Sequence, residues 1–361
     1  MKKLCILNWI DIIRLNPKQK NISIHFMLLL SSFLFLLGCQ NKQKTYNNWV
    51  DRKDIKEGLI PVKNTDEKWG YINTKGNIII PCQWSNADVF CEGMAKVMDK
   101  KGYYGFINKK GENIIPCIWY EVSNFSEGLA ASRNKDGLWG FIDKLGNVTI
   151  HHQWAMVYDF AGGYASVIDS KGRNGFIDKK GKPITTPKWT NSRSFSEGYA
   201  MVTDINNKSG YIDTTGSLRI PCKWSLAESF CDGLAAVCGK QGYWGYIDKS
   251  GKLKIDFQWT ICGNFHDGLA VVKDNNSERW GYINKKGTLI IPYQWKHCES
   301  FREGLAIVLD NNDKYGYINT NGNLVIPCKY SSAKHFENGI AEVKENNIVY
   351  YIDKNGNILP H

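Results

Sequence analysis

The side chains of this sequence that could do chemistry are its seven histidines, eleven cysteines and a recurrent set of acids and aromatics. His25, His151, His152, His266, His297, His335 and His361 sit in mostly unrelated contexts, with no partner acid at a telling spacing. Nucleophilic catalysis needs a nucleophile, a base and an orienting acid held together, and a phosphate site needs a glycine-rich cradle. No GxSxG, HExxH or GxxxxGK string occurs to supply either. His151 and His152 are adjacent, so on a strand their rings point to opposite faces and cannot share one metal. Asp310-Asn311-Asn312-Asp313 begins like a cation loop, but Lys314 stands where a calcium loop wants a ligand, and the terminal Glu is absent. There is no CxxC and no Cys/His cluster with zinc spacing. Glu92, Glu127, Glu197 and Glu303 each precede a glycine, which is turn chemistry. The expectation is a protein that is not an enzyme and carries no metal or cofactor.

Cysteine spacing leaves two readings open. Cys82 and Cys91 occupy the same two repeat columns as Cys222 and Cys231, nine apart both times, and are candidate disulfides in an oxidising compartment. Cys117 and Cys328 fill the first column without a partner in the second, and Cys262 and Cys298 share a third. A small apolar filler explains that distribution more simply.

The elements that must position these residues follow from repetition. The string WGYINTKGNIIIPCQW, residues 69–84, returns about every 35 residues. Its first aromatic recurs as Trp69, Tyr104, Trp139, Trp244, Trp280 and Tyr315, with Asn174 and Ser209 in the two lapsed copies. A glycine follows each, a second aromatic falls fifteen positions on (Trp84 through Trp295, then Tyr330), and a phenylalanine column runs from Phe90 to Phe336. Asn73-Thr74-Lys75-Gly76 and its eight equivalents read as three-residue hairpin turns, a type I turn followed by a left-handed glycine. Upstream, runs such as MAKVM and LAVVK alternate with period two. Each copy is therefore expected to be a three-stranded antiparallel meander closed by a proline such as Pro81, with the next thirteen or so residues crossing to the following unit. The fold class is all-β, about nine meanders, with a propeller-like toroid favoured and an open β-solenoid the close alternative.

Stacking units need mortar, and the second aromatic column and the phenylalanines are the obvious choice. The first column tolerates Asn174 and Ser209, so it is expected on a rim or in a groove. That makes Trp69, Tyr104, Trp139, Trp244, Trp280 and Tyr315 the candidate ligand-facing aromatics, able to stack on sugar rings. A repeated face also suits binding of another envelope or secreted protein.

These anchors resemble the WG-repeat family over roughly residues 55 to 361, through the Trp-Gly-Tyr/Phe-Ile-Asp/Asn pattern, the Lys-x-Gly turn, the Ile-Pro end and the Phe-x-Glu-Gly-Leu-Ala string. The resemblance implies a repeat array, common at bacterial envelopes, with no shared catalytic residues. Residues 1–38 form a separate segment: the apolar run Phe26–Leu37 is too short to span a bilayer, and Leu36-Leu37-Gly38-Cys39 looks like the lipobox of a bacterial lipoprotein. By that resemblance Cys39 carries lipid, residues 39–54 form a polar tether, and the protein sits in the cell envelope, periplasmic or surface-exposed. The formal net charge of +11 includes a surplus of four within residues 1–38, and the other lysines are spread over repeated turns. No basic stripe with base-reading groups results, so a nucleic-acid partner is not expected.

Overall fold

Two turns set the course of the chain in each repeat. In the first, Gly76 N–H donates to the Asn73 carbonyl at 3.0 Å, and Asn73 Oδ1 accepts from the Lys75 and Asn77 amides. In the second, Glu92 and Gly93 both have positive φ, 53° and 81°, which makes a two-residue hairpin turn whose twist suits antiparallel strands. The computed structural model describes residues 55–359 and the backbone of Asp51–Arg52.

The second turn produces an element beyond the expected meander. The sequence predicts a crossing linker before it, yet Asn86–Cys91 pairs antiparallel with Met94–Met98. The full sheet then runs Asn86–Cys91, Met94–Met98, Tyr104–Asn108, Asn113–Trp119 in that spatial order. Among the described residues there are nine such sheets, eight of four strands and a last one of three. The expected three-stranded unit is thus corrected to four, because a Glu-Gly hairpin turn recruits the linker.

The glycine after the first aromatic has a steric cause. Tyr104 pairs with Trp119 and Phe106 with Ile115, so Gly105 alone faces the bulged Pro116-Cys117-Ile118. A Cβ on Gly105 would lie 2.4 Å from the Ile115 carbonyl oxygen.

Neighbouring sheets share one core per interface. Tyr71 and Ile80 of the first sheet meet Ala87, Phe90, Ala95 and Val97 of the second, all buried. The phenylalanine column supplies edge or tilted ring contacts at the joints between consecutive sheets, Tyr71–Phe90 at 5.0 Å, Tyr246–Phe265 at 4.8 Å and Tyr317–Phe336 at 5.0 Å. Tyr71 also donates its hydroxyl to the Asp88 carbonyl of the next sheet at 2.7 Å, and Tyr211, Tyr246, Tyr282 and Tyr317 repeat the bond.

The turn acids do more than form turns. Glu127 accepts the Gly162 and Gly163 amides of the next sheet at 2.7 and 2.9 Å and pairs with Lys179 at 3.1 Å. Partial burial works against its charge, but the ammonium and the two amides outweigh it and hold the carboxyl below the usual range. Glu57, Glu92, Glu197 and Glu303 are bonded alike, to glycines 36 residues on and lysines about 52 residues on. Where Gly162 replaces the acid, Thr214 stands in the lysine column.

The array closes on itself. Ile55 occupies the phenylalanine column of the first repeat and lines a cavity of about 340 Å³ with Phe336, Ile340 and Glu342 of the ninth. Isoleucine is smaller than phenylalanine, and this joint is accordingly under-filled. First and last sheets bordering one cavity is the geometry of a β-propeller, here with nine small antiparallel sheets as blades, above the usual four to eight.

Candidate functional site

The proline bulge brings the two aromatic columns face to face. Trp69 lies opposite Trp84, Tyr104 opposite Trp119, Trp139 opposite Trp154, Trp244 opposite Trp259, Trp280 opposite Trp295 and Tyr315 opposite Tyr330. Of the first column Trp69 is buried at 7% exposure, and the other five rings are half-buried. Asn174 and Ser209, whose polarity pointed to a rim, are buried at 5% and 2%. The inference from polarity to exposure fails here because both are satisfied locally. The Asn174 amide donates to the Thr190 carbonyl at 3.3 Å and accepts the Ser192 hydroxyl at 3.1 Å, while Ser209 meets Thr203 at 3.4 Å.

The second column leans onto the next blade. Trp84 and Cys117 both pack against the core of the first joint, Trp119 stacks at a tilt on His152 with centroids 5.7 Å apart, and Trp224 meets Phe257 at 5.9 Å. Only in the sixth blade does the indole find an acceptor among these neighbours, Trp259 Nε1 donating to the Tyr293 hydroxyl at 2.9 Å. The Nε1 atoms of Trp84, Trp119, Trp154, Trp189, Trp224 and Trp295 are buried without a partner. A buried donor left unpaired costs free energy that an acceptor recovers, about 1 kcal/mol net. Phe257→Tyr is therefore expected to raise stability by about 0.5–1.5 kcal/mol, and Tyr293→Phe to lower it by a similar amount, both read by urea unfolding.

This geometry accounts for the cysteines. Cys82, Cys117, Cys222 and Cys328 share their column with His152, Phe257 and Tyr293, the last three lying against the preceding blade's tryptophan. Cys82 Sγ, on the first sheet, faces the Val62 carbonyl in mid-strand, whereas Cys91, on the second sheet, neighbours Lys56 at a turn, so the two cysteines sit in different surroundings. All nine cysteines among the described residues, Cys82, Cys91, Cys222 and Cys231 included, are free thiols in this structure. Burial pushes the Cys222 and Cys328 thiols up to about 11 and those of Cys262 and Cys298 up to about 12. Since the thiolate is the nucleophile, these four are expected to alkylate at pH 8 at least about a hundred-fold slower in the folded protein than in urea. Mass spectrometry of iodoacetamide adducts checks this site by site.

Two polar pairs resemble catalytic parts without completing a site. Ser132 Oγ lies 3.0 Å from His152 Nε2, but Ser132 is fully buried. His335 Nε2 lies 2.7 Å from Glu299 in the 340 Å³ cavity, and the His335 bond, helped by nearby cationic groups and opposed by partial burial, holds the Glu299 carboxyl below its usual range. That cavity's lining holds no serine, threonine or cysteine. Among the described residues, no three or more His, Cys, Asp or Glu side chains are placed to hold a metal ion. In the 310–313 stretch, Asp310 Oδ1 accepts the Asn312 and Lys314 amides at 2.9 Å, closing an ordinary turn, while Asp313 pairs with Lys296 and Asn311 accepts from Arg279.

The last two contacts expose residues that the motif search missed. Lys273, Arg279 and Lys296 gather around Trp280 at a cavity of about 300 Å³. A signal existed: Trp280 follows Trp244 by 36 residues rather than 35, a one-residue insertion in the loop before it. Cys39 lies outside the described residues.

Comparison with known proteins agrees with the internal repeat. The WG containing repeat matches eight times, at residues 69–103, 104–138, 139–169, 175–208, 210–243, 244–277, 280–315 and 315–347. No curated protein sequence matches the chain. Among solved structures, the computationally designed Ika8 protein is similar with 13% identity and a TM-score of 0.42, over 75% of this chain and 93% of that one. BamB from Moraxella catarrhalis is similar with 11% identity and a TM-score of 0.41, over 74% of this chain and 95% of that one.

Proposed function

Since this chain belongs to the WG containing repeat family, we propose that it is a non-catalytic envelope protein, anchored through lipid on Cys39, whose propeller serves as a scaffold for another envelope or secreted protein. The observation that carries the reading is exposed aliphatic surface on the last strand of five blades, the first, second, fifth, seventh and eighth. Ile78, Ile79, Ile114, Leu218, Leu289, Ile290, Leu324 and Val325 are all exposed, Ile79 and Ile290 at 43% each. Repeated apolar surface of this kind is costly to leave in water and marks contact with a partner. The lipid anchor draws on Leu36-Leu37-Gly38-Cys39 and holds the propeller near its partner at a membrane.

A photo-crosslinking residue at Ile79 or Ile290 should yield one discrete adduct in the cell envelope, whereas the same residue at the turn lysines Lys110 or Lys180 should not. Adducts of equal yield from both sets, or none from the aliphatic positions, would sink the scaffold reading. Glycan or cell-wall binding through Trp69, Tyr104, Trp139, Trp244, Trp280 and Tyr315 is the second reading. It draws on the partial exposure of five of these rings, and a sugar-array screen separates it from the first.

A further inference from the structure

We propose that the groove between the seventh and eighth blades is a binding site for a small ring carboxylate, a six-membered ring bearing one carboxyl group. The inference stands apart from the scaffold reading and needs no partner protein. It starts from asymmetry. A site for one small ligand must differ from its eight equivalents, and this joint differs in both sequence and charge.

The loop before Trp280 carries one residue more than its counterparts, and it places Arg279 beside the indole. Lys273 contributes from the strand Leu269–Lys273. Lys296 contributes from the position where the other blades have Ser85, Tyr120, Ala155, Thr190, Ser225, Thr260 or Ser331, none of them basic. Three cations thus surround one half-buried indole, with Ser277 and the single acid Glu278 completing the lining. The cavity, about 300 Å³, lies at the lower end of the range for small-molecule sites, roughly 300–1,000 Å³.

The chemistry of these groups selects the ligand. A guanidinium offers a planar fork of donors that matches a carboxylate, and two ammonium groups add positive field without geometric demand. The indole offers a flat apolar face for a ring. Its orientation is fixed from one side by His297, edge-on at 5.2 Å, so little ordering remains for a ligand to impose. The cations already have counter-ions, and these are displaceable. Lys273 pairs with Glu278 at 3.6 Å and Lys296 with Asp313, and the two acids are 79% and 67% exposed. Ion pairs this open to solvent are weak. Arg279 rests on the neutral Asn311 side chain, so its charge is not offset by that contact.

The test is isothermal titration of the full chain in detergent with methyl glucuronide, methyl glucoside, benzoate and inorganic phosphate. Variants can borrow from the other blades: Trp280→Ser copies Ser209, Lys296→Ser copies Ser225, and Arg279→Gln removes the fork. The expected result is binding of at least one ring acid, about ten-fold or more tighter than the neutral glucoside, with a loss of about ten-fold or more in both Arg279→Gln and Trp280→Ser. Glucuronide ahead of benzoate would identify the ring as a sugar, and the reverse order an aromatic acid. Either order upholds the proposal. Phosphate binding as tightly as both ring acids, with Trp280→Ser unchanged, would overturn it in favour of a bare anion point. Failure of both ring acids to bind the wild-type chain would overturn it as well. Circular dichroism confirms folding of each variant, and the wild-type comparison of charged with neutral probes decides the matter if a variant unfolds.

Discussion

Gly105→Ala is expected to destabilise the protein by more than about 4 kcal/mol, at the extreme of single substitutions. The new Cβ would sit 2.4 Å from the Ile115 oxygen and 2.8 Å from the Cys117 nitrogen, both backbone atoms of the bulged strand. Neither can rotate away as a side chain can. The bulge must open, and with it the register that sets Tyr104 against Trp119. Each blade supports both neighbours, so the damage spreads to the joints on either side. Gly93→Asn is the control: Gly93 has positive φ but no atom within 4 Å of a built Cβ, and asparagine tolerates that backbone region, so a loss of about 1 kcal/mol is expected. Urea unfolding of the two variants separates collision from conformational preference. Equal losses would mean that the close approach is not what selects the glycine.

Phe230→Ala is expected to cost about 3–5 kcal/mol. Phe230 is fully buried and touches two rings of the preceding blade, Tyr211 at 4.8 Å and Tyr199 at 5.2 Å. Truncation leaves a void between blades that two stiff backbones cannot close, so the cavity penalty adds to the lost burial. Phe230→Ile, which copies Ile55 in the first blade, should cost about half as much, because most of the volume is kept. Differential scanning calorimetry should then show the alanine variant melting first at this joint. A loss under about 1 kcal/mol for the alanine variant would show that the blades slide together to heal the gap.

Much of this architecture was legible in the residues, and the reasons are local. Asn73-Thr74-Lys75-Gly76 encodes its turn in four residues, and Trp-Gly-Tyr-Ile alternates visibly, so hairpins and three strands per unit follow from the chain alone. The fourth strand was not legible, because pieces as short as Glu121–Val122 or Met156–Val157 have no periodicity to read. Asn174 and Ser209 misled for a related reason. Polarity at a position reports the need for a hydrogen-bond partner, and Ser192, 18 residues away, supplies one to Asn174 out of sight of any local window. The Glu127–Gly163–Lys179 link escaped similarly, since its other members lie 36 and 52 residues from Glu127. The basic groove at Trp280 announced itself only as one surplus residue in a count.

The bulged last strand of each blade has a further consequence, for behaviour at high concentration. Its outward positions are occupied by Pro81, Pro116, His151, Thr186, Pro221, Asp256, Pro292 and Pro327, all exposed. Five of the eight are prolines, which offer no amide donor, and two are polar enough to resist a stacked β-strand. An unfinished sheet edge is the usual template for fibril growth, and here seven edges in one molecule are blunted at the same place. Crowded together, such molecules can touch through their aliphatic side chains yet cannot zip their backbones together. The interactions left to them are reversible ones.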